Sequence, residues 1–333
     1  MIANRRDRLR ISMAASVALL GTLFGIATPT LAQPALPRVV WLSAVPETQG
    51  GPFYGEFRAG LLELGYVDGR NIRLEPRWAD GTVSGIEKMI GDAIAGNPAL
   101  AVSQGSVGPL LKKSTTSLPV VFGYSGDPVE AGMVDSLARP GRNMTGMSYM
   151  NAELIAKRMQ LLKELLPSAR RLAVVASPDH PGDASERRAT QDAALRLGVA
   201  LEYFELRAGV RMAELLGAVE KSRSDAVLFF PTQGVIANRE VIAAWAQKTR
   251  IPAISGWAQF ADGGNVMSYG PNLGEASRRL AYYVDRVLKG AKPGDLPVEI
   301  PTRVEFVINI QAAKAIGLSV PQGLRLRADR VIE

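Results

Sequence analysis

The residues of this chain that could do chemistry are hydroxyls, amides, aromatic rings and a carboxylate that directly follow apolar runs. The candidate ligand contacts are Ser43, Gln104, Ser106, Tyr124, Asp127, Gln233, Trp257 and Tyr269. Such groups can hydrogen-bond to a small organic molecule and stack on it. They form no nucleophile–base pair, and the only histidine, His180, stands in a proline-rich loop typical of a solvated residue. The residue types therefore favour binding over catalysis.

Several of these candidates have a second, purely structural interpretation. Gly105-Ser106 could present backbone N–H groups to an anion, but Ser106 could equally cap the following helix. Asp127 could accept hydrogen bonds from a ligand ammonium group or cap the turn into Val129. Tyr124, Trp257 and Tyr269 could stack on a ligand or simply pack.

Other functional classes lack their motifs. The chain has no Gly-x-Ser-x-Gly elbow, no phosphate-binding loop and no dinucleotide fingerprint after its first strand. It has no cysteine and one histidine, which excludes a Cys- and His-rich metal site. Acidic and basic residues are interspersed, without a basic stripe interleaved with aromatics. We therefore expect no enzyme activity, no cofactor, no metal and no nucleic-acid partner.

Strands and helices alternate along the chain, which predicts parallel sheets with right-handed crossovers. Apolar runs predict strands over 38–45, 71–78, 99–103, 119–122 and 144–149, then over 171–176, 200–206, 225–230, 252–255 and 265–269. Ligands of such sheets bind beyond the carboxyl ends of the strands, where all eight candidates stand. The predicted fold is α/β, with two similar lobes, each a parallel sheet flanked by helices, joined by a multi-stranded hinge.

The predicted domains follow from this pattern. Residues 33–150 form the first lobe and 151–270 the second, while 271–333 return to complete the first lobe. The alternative for this tail is that it packs under the second lobe.

The N-terminal residues have the pattern of a secretory signal peptide. Four arginines precede an apolar run over 11–27, and Thr30-Leu31-Ala32 supplies small residues before a cut after Ala32. This predicts an exported, soluble, periplasmic protein with no stable membrane insertion after cleavage. A retained N-terminal anchor is the alternative, and the pattern leaves general secretion and twin-arginine export open.

Several ordered motifs resemble one known family. Ser125-Gly126-Asp127-Pro128-Val129 is followed by a run over 137–146, by Met267-Ser268-Tyr269-Gly270-Pro271 and by a run over 289–299. As an ordered set these are similar to ABC transporter substrate-binding proteins of the tryptophan/tyrosine type. One departure is Arg142, where the family usually has a second glycine.

The resemblance implies a periplasmic-binding-protein fold whose lobes close on a ligand and then dock on permease subunits of an ABC importer. It implies an amino acid or related small organic solute as ligand, held by polar groups on the loops at 103–106 and at Asp127. A sensory module that reports ligand binding to a membrane receptor is the alternative, and an exported enzyme is a third.

Overall fold

Two β-sheets organise the part of the chain that the structure describes. The computed structural model describes residues 35–149, 151–207 and 209–333, with the backbone alone for Asn151. Leu36–Glu333 form one compact unit, and both sheets lie in it. The predicted signal peptide and its cleavage after Ala32 lie outside the described residues.

The first lobe is built on a parallel sheet of five strands in the order β2-β1-β3-β4-β5. Its elements are β1 (Arg38–Ser43), α1 (Glu47–Glu63), β2 (Arg73–Trp78), α2 (Val83–Ala95), β3 (Leu100–Gln104), α3 (Val107–Ser114), β4 (Val120–Tyr124) and β5 (Met144–Ser148). The strands β3, β4 and β5 are buried throughout. This is why they read as continuous runs of apolar and small residues instead of alternating ones.

The second lobe begins with an alternation of the same kind. Its elements are α4 (Asn151–Leu165), β6 (Arg171–Ala176), α5 (Asp183–Leu197), β7 (Ala200–Glu205), α6 (Met212–Lys221), β8 (Ala226–Phe229), α7 (Gln233–Ala237), α8 (Arg239–Thr249), β9 (Ala253–Ser255), α9 (Ala258–Asp262) and β10 (Met267–Pro271). The periodicity of the sequence predicts all of these except the short helices α7 and α9.

The C-terminal tail, residues 271–333, contacts both lobes. Its elements are α10 (Leu273–Leu288), a 3₁₀ turn (Pro293–Asp295), β11 (Val304–Asn309), α11 (Ile310–Ala315), α12 (Gln322–Arg327) and β12 (Arg330–Ile332). The helix α10 packs on α1 of the first lobe, and Thr145 of β5 donates a hydrogen bond to the carbonyl of Leu296.

The last two strands correct the predicted return of residues 271–333 to the first lobe. The strand β11 runs antiparallel to β10, and β12 pairs with β11, so the second sheet has the order β12-β11-β10-β9-β8-β6-β7. Phe306 and Ile308 of β11 belong to the core of the second lobe. Their burial against that lobe holds the end of the tail there.

The lobes are joined by three passages of the described chain: from β5 to α4, from β10 to α10, and from the 3₁₀ turn to β11. One hydrophobic cluster also reaches from the first sheet into the second, through Phe53, Trp257 and Leu273. The connection is thus a multi-stranded hinge with an apolar contact beside it.

Arg142 does not force a strained turn. The left-handed residue of that turn is Gly141, with φ of 74°, and the Arg142 guanidinium pairs with Asp135 at 2.9 Å. The unusual arginine therefore sits at a position that any residue can take.

Candidate functional site

A cavity of about 280 Å³ lies between the lobes, at the carboxyl ends of both sets of parallel strands. The loops after β1, β2, β3 and β4 form one wall, and the loops after β6, β7, β8 and β9 form the other. The cavity is lined by Ala44, Val45, Pro46, Gln49, Phe53, Asp80, Gly81, Gln104, Gly105, Ser106, Ser125, Tyr149, Ser177, Asp179, His180, Pro181, Leu206, Arg207, Gly209, Val210, Thr232, Gln233, Gly234, Asn238, Trp257 and Leu273.

The first wall contains an uncapped helix start. Gly105 adopts φ of 60° and donates its N–H to the Gly123 carbonyl, which turns the chain from β3 directly into α3. Ser106 stands at the cap position, but its hydroxyl makes no cap hydrogen bond. The first N–H groups of a helix have no partner within it, so those of Val107 and Gly108 are not satisfied by α3 itself, directly after the lining residues Gly105 and Ser106. The start of α3 is therefore suited to an anion.

The second wall contains a helix start that is already capped. Thr232 has extended backbone geometry, and its Oγ1 accepts a hydrogen bond of 3.1 Å from the Val235 N–H at the start of α7. The Gln233 side chain is half-buried at this start and lines the cavity. This wall therefore offers side chains more than free backbone donors.

An aromatic contact joins the two walls. The rings of Phe53 on α1 and Trp257 before α9 lie 6.0 Å apart at an interplanar angle of 70°. Both are buried, at 7% and 3% exposure. Together with Leu206, Val210 and Leu273 they give the cavity an apolar side.

Two carboxylates and one guanidinium bring charge to the cavity. Asp80 Oδ1 already accepts hydrogen bonds from the N–H and the hydroxyl of Thr82, which lower the pKa of Asp80. Asp179 is exposed in the loop after β6. Arg207 is paired with Glu205 at 2.7 Å, which neutralises it locally. The Asp179 carboxylate is therefore the best placed to meet a cation in the cavity.

Four of the eight predicted contacts line this cavity: Gln104, Ser106, Gln233 and Trp257. Gln104 is 5% exposed, and its Nε2 has no hydrogen-bond partner among the described residues. Burial raises the pKa of the neighbouring Tyr149 hydroxyl, so this phenol stays protonated beside the Gln104 amide.

Asp127 and Tyr124 do not line this cavity, so the structure does not bring them together with the four predicted contacts that do. Asp127 is exposed, and its Oδ1 accepts hydrogen bonds from the N–H groups of Val129 at 2.7 Å and Glu130 at 3.2 Å. It caps the turn, which is the structural interpretation that its sequence position allows. Tyr124 is 4% exposed and packs edge-to-face on Phe122, and burial raises its pKa to about 12.

Ser43 and Tyr269 do not line the cavity either. Ser43 is fully buried at the end of β1, behind α1, where its Oγ accepts from the Val45 N–H at 3.4 Å. Tyr269 is paired with Phe306 in the sheet and packs on its ring, while its carbonyl accepts from Arg158 Nε at 2.7 Å. Strand ends bring a residue near a cleft, but the side that its side chain takes depends on the pleat.

Sequence reasoning also misses residues of the site. The sequence places Phe53 on the buried face of α1 and favours a solvated loop position for His180. The structure places both at the cavity, and the His180 side chain is only 10% exposed. The signal that points to His180 is its position directly after a buried strand.

The described residues contain neither a cluster of metal ligands nor a membrane-spanning helix. No three of their His, Asp and Glu side chains gather as metal ligands. Nor does any helix in this part of the chain have the length and apolar character needed to cross a bilayer.

A family model for the ABC transporter substrate binding protein matches residues 52–332. The chain belongs to that family. Among its relatives is a tyrosine-binding protein of Clostridioides difficile strain R20291, which is 25% identical over 287 residues, or 83% of this chain and 78% of that protein. The family assignment and the two-lobed α/β fold thus confirm the resemblance that the motifs suggested.

Two solved structures share the fold. A conserved domain protein of Vibrio cholerae O1 biovar El Tor strain N16961 superposes with a TM-score of 0.80 at 24% identity, over 89% of this chain and 99% of that one. An ABC domain from Streptococcus pneumoniae in complex with L-Trp gives a TM-score of 0.79 at 23% identity, over 90% and 100%. These likenesses establish the fold of this substrate-binding protein.

Proposed function

We propose that this substrate-binding protein captures an amino acid with a large apolar or aromatic side chain by closure of its two lobes. The observation that carries the proposal is a cavity between the lobes, with an uncapped helix start on one wall and an aromatic side to which both lobes contribute. The relatives named for tyrosine and solved with L-Trp support this ligand class.

The ligand carboxylate binds at the start of α3. The Ser106 hydroxyl lines the cavity, and the N–H groups of Val107 and Gly108 follow it without a partner inside the helix. A helix start favours negative charge by about 0.3–1 kcal/mol, and by more when it is partly buried. Gln104, whose Nε2 lacks a partner among the described residues, is a further donor at the same wall.

The ligand ammonium group binds the second wall. Asp179 takes the role that the sequence suggested for Asp127, because Asp179 lines the cavity while Asp127 faces away. The apolar side chain lies against Phe53 and Trp257, where aromatic stacking adds about 0.5–1.5 kcal/mol beyond area burial. Gln233 contributes an adaptable amide beside them.

Closure is supported by contacts that cross the cleft. A Cβ added to Gly126 would stand 2.7 Å from the Pro181 carbonyl oxygen, so these loops touch. Arg188 of the second lobe pairs with Glu130 of the first at 3.5 Å. Ligand contacts on both walls would add to these, and such preferential binding shifts a hinged protein towards its closed form.

The closed protein then delivers its ligand to the permease of an ABC importer, as its family name suggests. Export under the predicted signal peptide, removed after Ala32, would bring it to the periplasm, and we propose no catalytic activity. A sensory module with the same cleft is the alternative. A strain that lacks this protein should lose uptake of the labelled ligand; normal uptake with a lost behavioural or transcriptional response would favour the sensory role.

Calorimetric titration tests the ligand class directly. The panel is L-tryptophan, L-tyrosine, L-leucine, indole-3-propionate, tryptamine and D-galactose. We expect the aromatic L-amino acids to bind most tightly, and indole-3-propionate and tryptamine to lose affinity because each lacks one charged group. Binding of D-galactose with none of the amino acids would overturn the proposal. Small-angle scattering of the same samples should show a smaller radius of gyration with L-tryptophan than without it.

A further inference from the structure

Four ionisable side chains are buried together beneath the loop 177–182, on the second wall of the cleft. Arg158 on α4 and Glu186 on α5 have no exposed surface, Asp183 is 8% exposed, and the His180 side chain is 10% exposed. The proposed ligand contacts use none of these four groups. Burial of charge is costly, so a cluster of this kind needs a structural or functional reason.

The loop is held by the unprotonated nitrogen of His180. Its Nδ1 accepts a hydrogen bond of 3.2 Å from the Gly182 N–H. Two backbone bonds complete the turn, from the His180 N–H to the Ser177 carbonyl at 2.8 Å and from the Asp183 N–H to the His180 carbonyl at 3.0 Å. A protonated imidazole has a donor on both nitrogens, so Nδ1 could no longer accept the Gly182 N–H.

A second partner for Nδ1 stands nearby. Glu186 Oε2 lies 3.8 Å from Nδ1, too far for a hydrogen bond, and neither Glu186 oxygen has a hydrogen-bond partner among the described residues. A small rotation of the imidazole would bring a protonated Nδ1 within reach of this oxygen. The ring thus has two alternative partners, one for each protonation state.

The same loop touches the first lobe. The Ser125 carbonyl oxygen lies 3.2 Å from the point where Gly182 would carry a Cβ, and the Pro181 carbonyl meets Gly126. A change in the turn at 180–182 therefore changes the surface on which the first lobe closes. In the open form this loop would lose its contacts with Ser125 and Gly126.

We propose that His180 is a proton-operated switch for ligand capture: uncharged, its Nδ1 holds the Gly182 N–H and the loop fits the first lobe; protonated, it turns to Glu186 and the loop releases the closed form. The coupling to capture rests on the proposed function, whereas the two positions of the ring do not. Acid would then weaken ligand binding.

The charged surroundings agree with an uncharged ring in the closed form. Burial lowers the pKa of His180 to about 4, and burial raises the pKa of Glu186 to about 8 despite the positive charge of Arg158. Other charges around the loop are largely paired: Asp183 with Arg187, and Arg188 with Glu130 across the cleft. The remaining ionisable groups at the cavity or beside the loop are Asp179, Arg207, Asp80, Tyr124 and Tyr149.

The lowered pKa of His180 predicts that acid weakens ligand binding. The closed form holds His180 with a pKa below its ordinary 6.5, so this side chain binds fewer protons there than in an open form that exposes it. Glu186 has the opposite shift, and it adds no pH dependence to capture where it stays buried on α5 in both forms. The uncharged ring therefore stabilises the closed form relative to the open form fully above about pH 6.5, and this stabilisation is lost progressively as the pH falls towards about 4. From the His180 shift alone, with the ring exposed in the open form, the dissociation constant should rise about tenfold between pH 7.5 and pH 5.5.

The first arm of the test needs no ligand. His180 is the only histidine of the chain, so nitrogen-15 NMR of the purified protein reports its tautomer and titration without assignment. We expect the Nε2–H tautomer at pH 7.5. Glu186→Met removes the second partner of the ring and should lower the titration midpoint of His180. An Nδ1–H tautomer, or a midpoint that this variant leaves unchanged, would overturn the switch itself.

The second arm measures the dissociation constant for L-tryptophan at pH 7.5, 6.5 and 5.5, with circular dichroism to verify folding at each pH. His180→Asn keeps an acceptor near the Nδ1 position but cannot titrate, so the ratio of its dissociation constants at pH 5.5 and pH 7.5 should lose the tenfold change. Equal pH dependence in both proteins would overturn the coupling. No binding of L-tryptophan at pH 7.5 would instead count against the proposed ligand, and the NMR arm would still decide the switch.

Discussion

Two helix starts face the cavity from opposite lobes, and they differ in how their N–H groups are satisfied. At α7 the Thr232 hydroxyl already accepts from the Val235 N–H. At α3 the Ser106 hydroxyl makes no such bond. Serine and threonine are both good capping residues, so residue type does not explain the difference. The backbone does: Thr232 is extended, with φ of −132°, whereas Ser106 is already helical, with φ of −69°.

The conformation of Ser106 follows from the turn before it. Gly105 takes φ of 60°, which brings the chain from β3 into α3 within two residues and leaves no extended position for a cap. One wall therefore keeps backbone donors for an anion, and the other presents side chains. In the proposed function the first lobe therefore binds the ligand carboxylate through a helix start, while the second lobe binds the ammonium group and part of the side chain through its own side chains.

The largest change in affinity is expected when a negative charge is added at each of the two helix starts. Ser106→Asp places a carboxylate where the ligand carboxylate should bind, so we expect affinity for L-tryptophan to fall at least a hundredfold, or by about 3 kcal/mol. The Ser106→Asp substitution should preserve or raise the melting temperature of the protein, since aspartate is favourable at a helix start. Thr232→Asp can keep the existing cap, and its loss of affinity should be at least tenfold smaller. Equal losses would remove the distinction between the two starts.

The second test compares carboxylates. Asp179→Asn should weaken L-tryptophan binding about ten- to a hundredfold, which is the value of a charge-assisted hydrogen bond of about 1.5–3 kcal/mol. It should leave indole-3-propionate unaffected, because that molecule has no ammonium group. Asp80→Asn is the matched control, since Oδ1 of Asp80 is occupied by Thr82. If Asp80→Asn has the larger effect in the titration, the ammonium group lies on the first wall instead.

A third test acts on the fit between the walls and leaves the proposed ligand contacts intact. Gly126→Ala adds a Cβ 2.7 Å from the Pro181 carbonyl oxygen and 3.0 Å from the Tyr124 ring, so we expect an affinity about five- to tenfold lower. Scattering should show a larger radius of gyration in the presence of L-tryptophan. Gly91→Ala on α2 is the control, because no atom of the described residues lies within 4 Å of the added Cβ. A Gly126→Ala protein that closes normally would show that these loops do not limit closure.

The smallest effect on binding is expected at Asp127. The sequence alone allowed Asp127 to meet a ligand ammonium group, in which case Asp127→Ala would abolish binding of amine-bearing ligands. With its carboxylate on the N–H groups of Val129 and Glu130, we expect less than a twofold change in affinity and a loss of about 1 kcal/mol in the free energy of unfolding. Urea denaturation measures the second quantity. A large loss of affinity would restore the interpretation drawn from the sequence.

Most of the fold was predictable because its signals are local. Buried strands such as β6 and β8 contain continuous apolar runs, and the helices between strands have apolar residues at helical spacing. The short elements α7, α9, α12 and β12 were missed because three to six residues are too few to show a period. The pairing of β11 was also missed, since a strand carries no mark of which sheet it will join.

The candidate site was predictable only in part, for a related reason. The loops after β3, β8 and β9 were identified by their position, and Gln104, Ser106, Gln233 and Trp257 do line the cavity. The loop after β4 was identified too, but Tyr124 and Asp127 turn away from it. Phe53 and His180 were missed because an apolar helix residue and a loop histidine look alike in sequence whether or not a second lobe covers them.

The sequence by itself determined the α/β class, the alternation that builds two parallel sheets, the absence of cysteine chemistry and the ordered motifs that mark the family. These depend on residue type and on spacing over a few residues. Only the tertiary structure decided which lobe β11 joined and which helix start stayed without a side-chain cap. It alone also placed the His180 side chain beside Glu186, in a loop that contacts the other lobe. Those outcomes depend on contacts between residues far apart in the chain, and no local pattern of side chains encodes them.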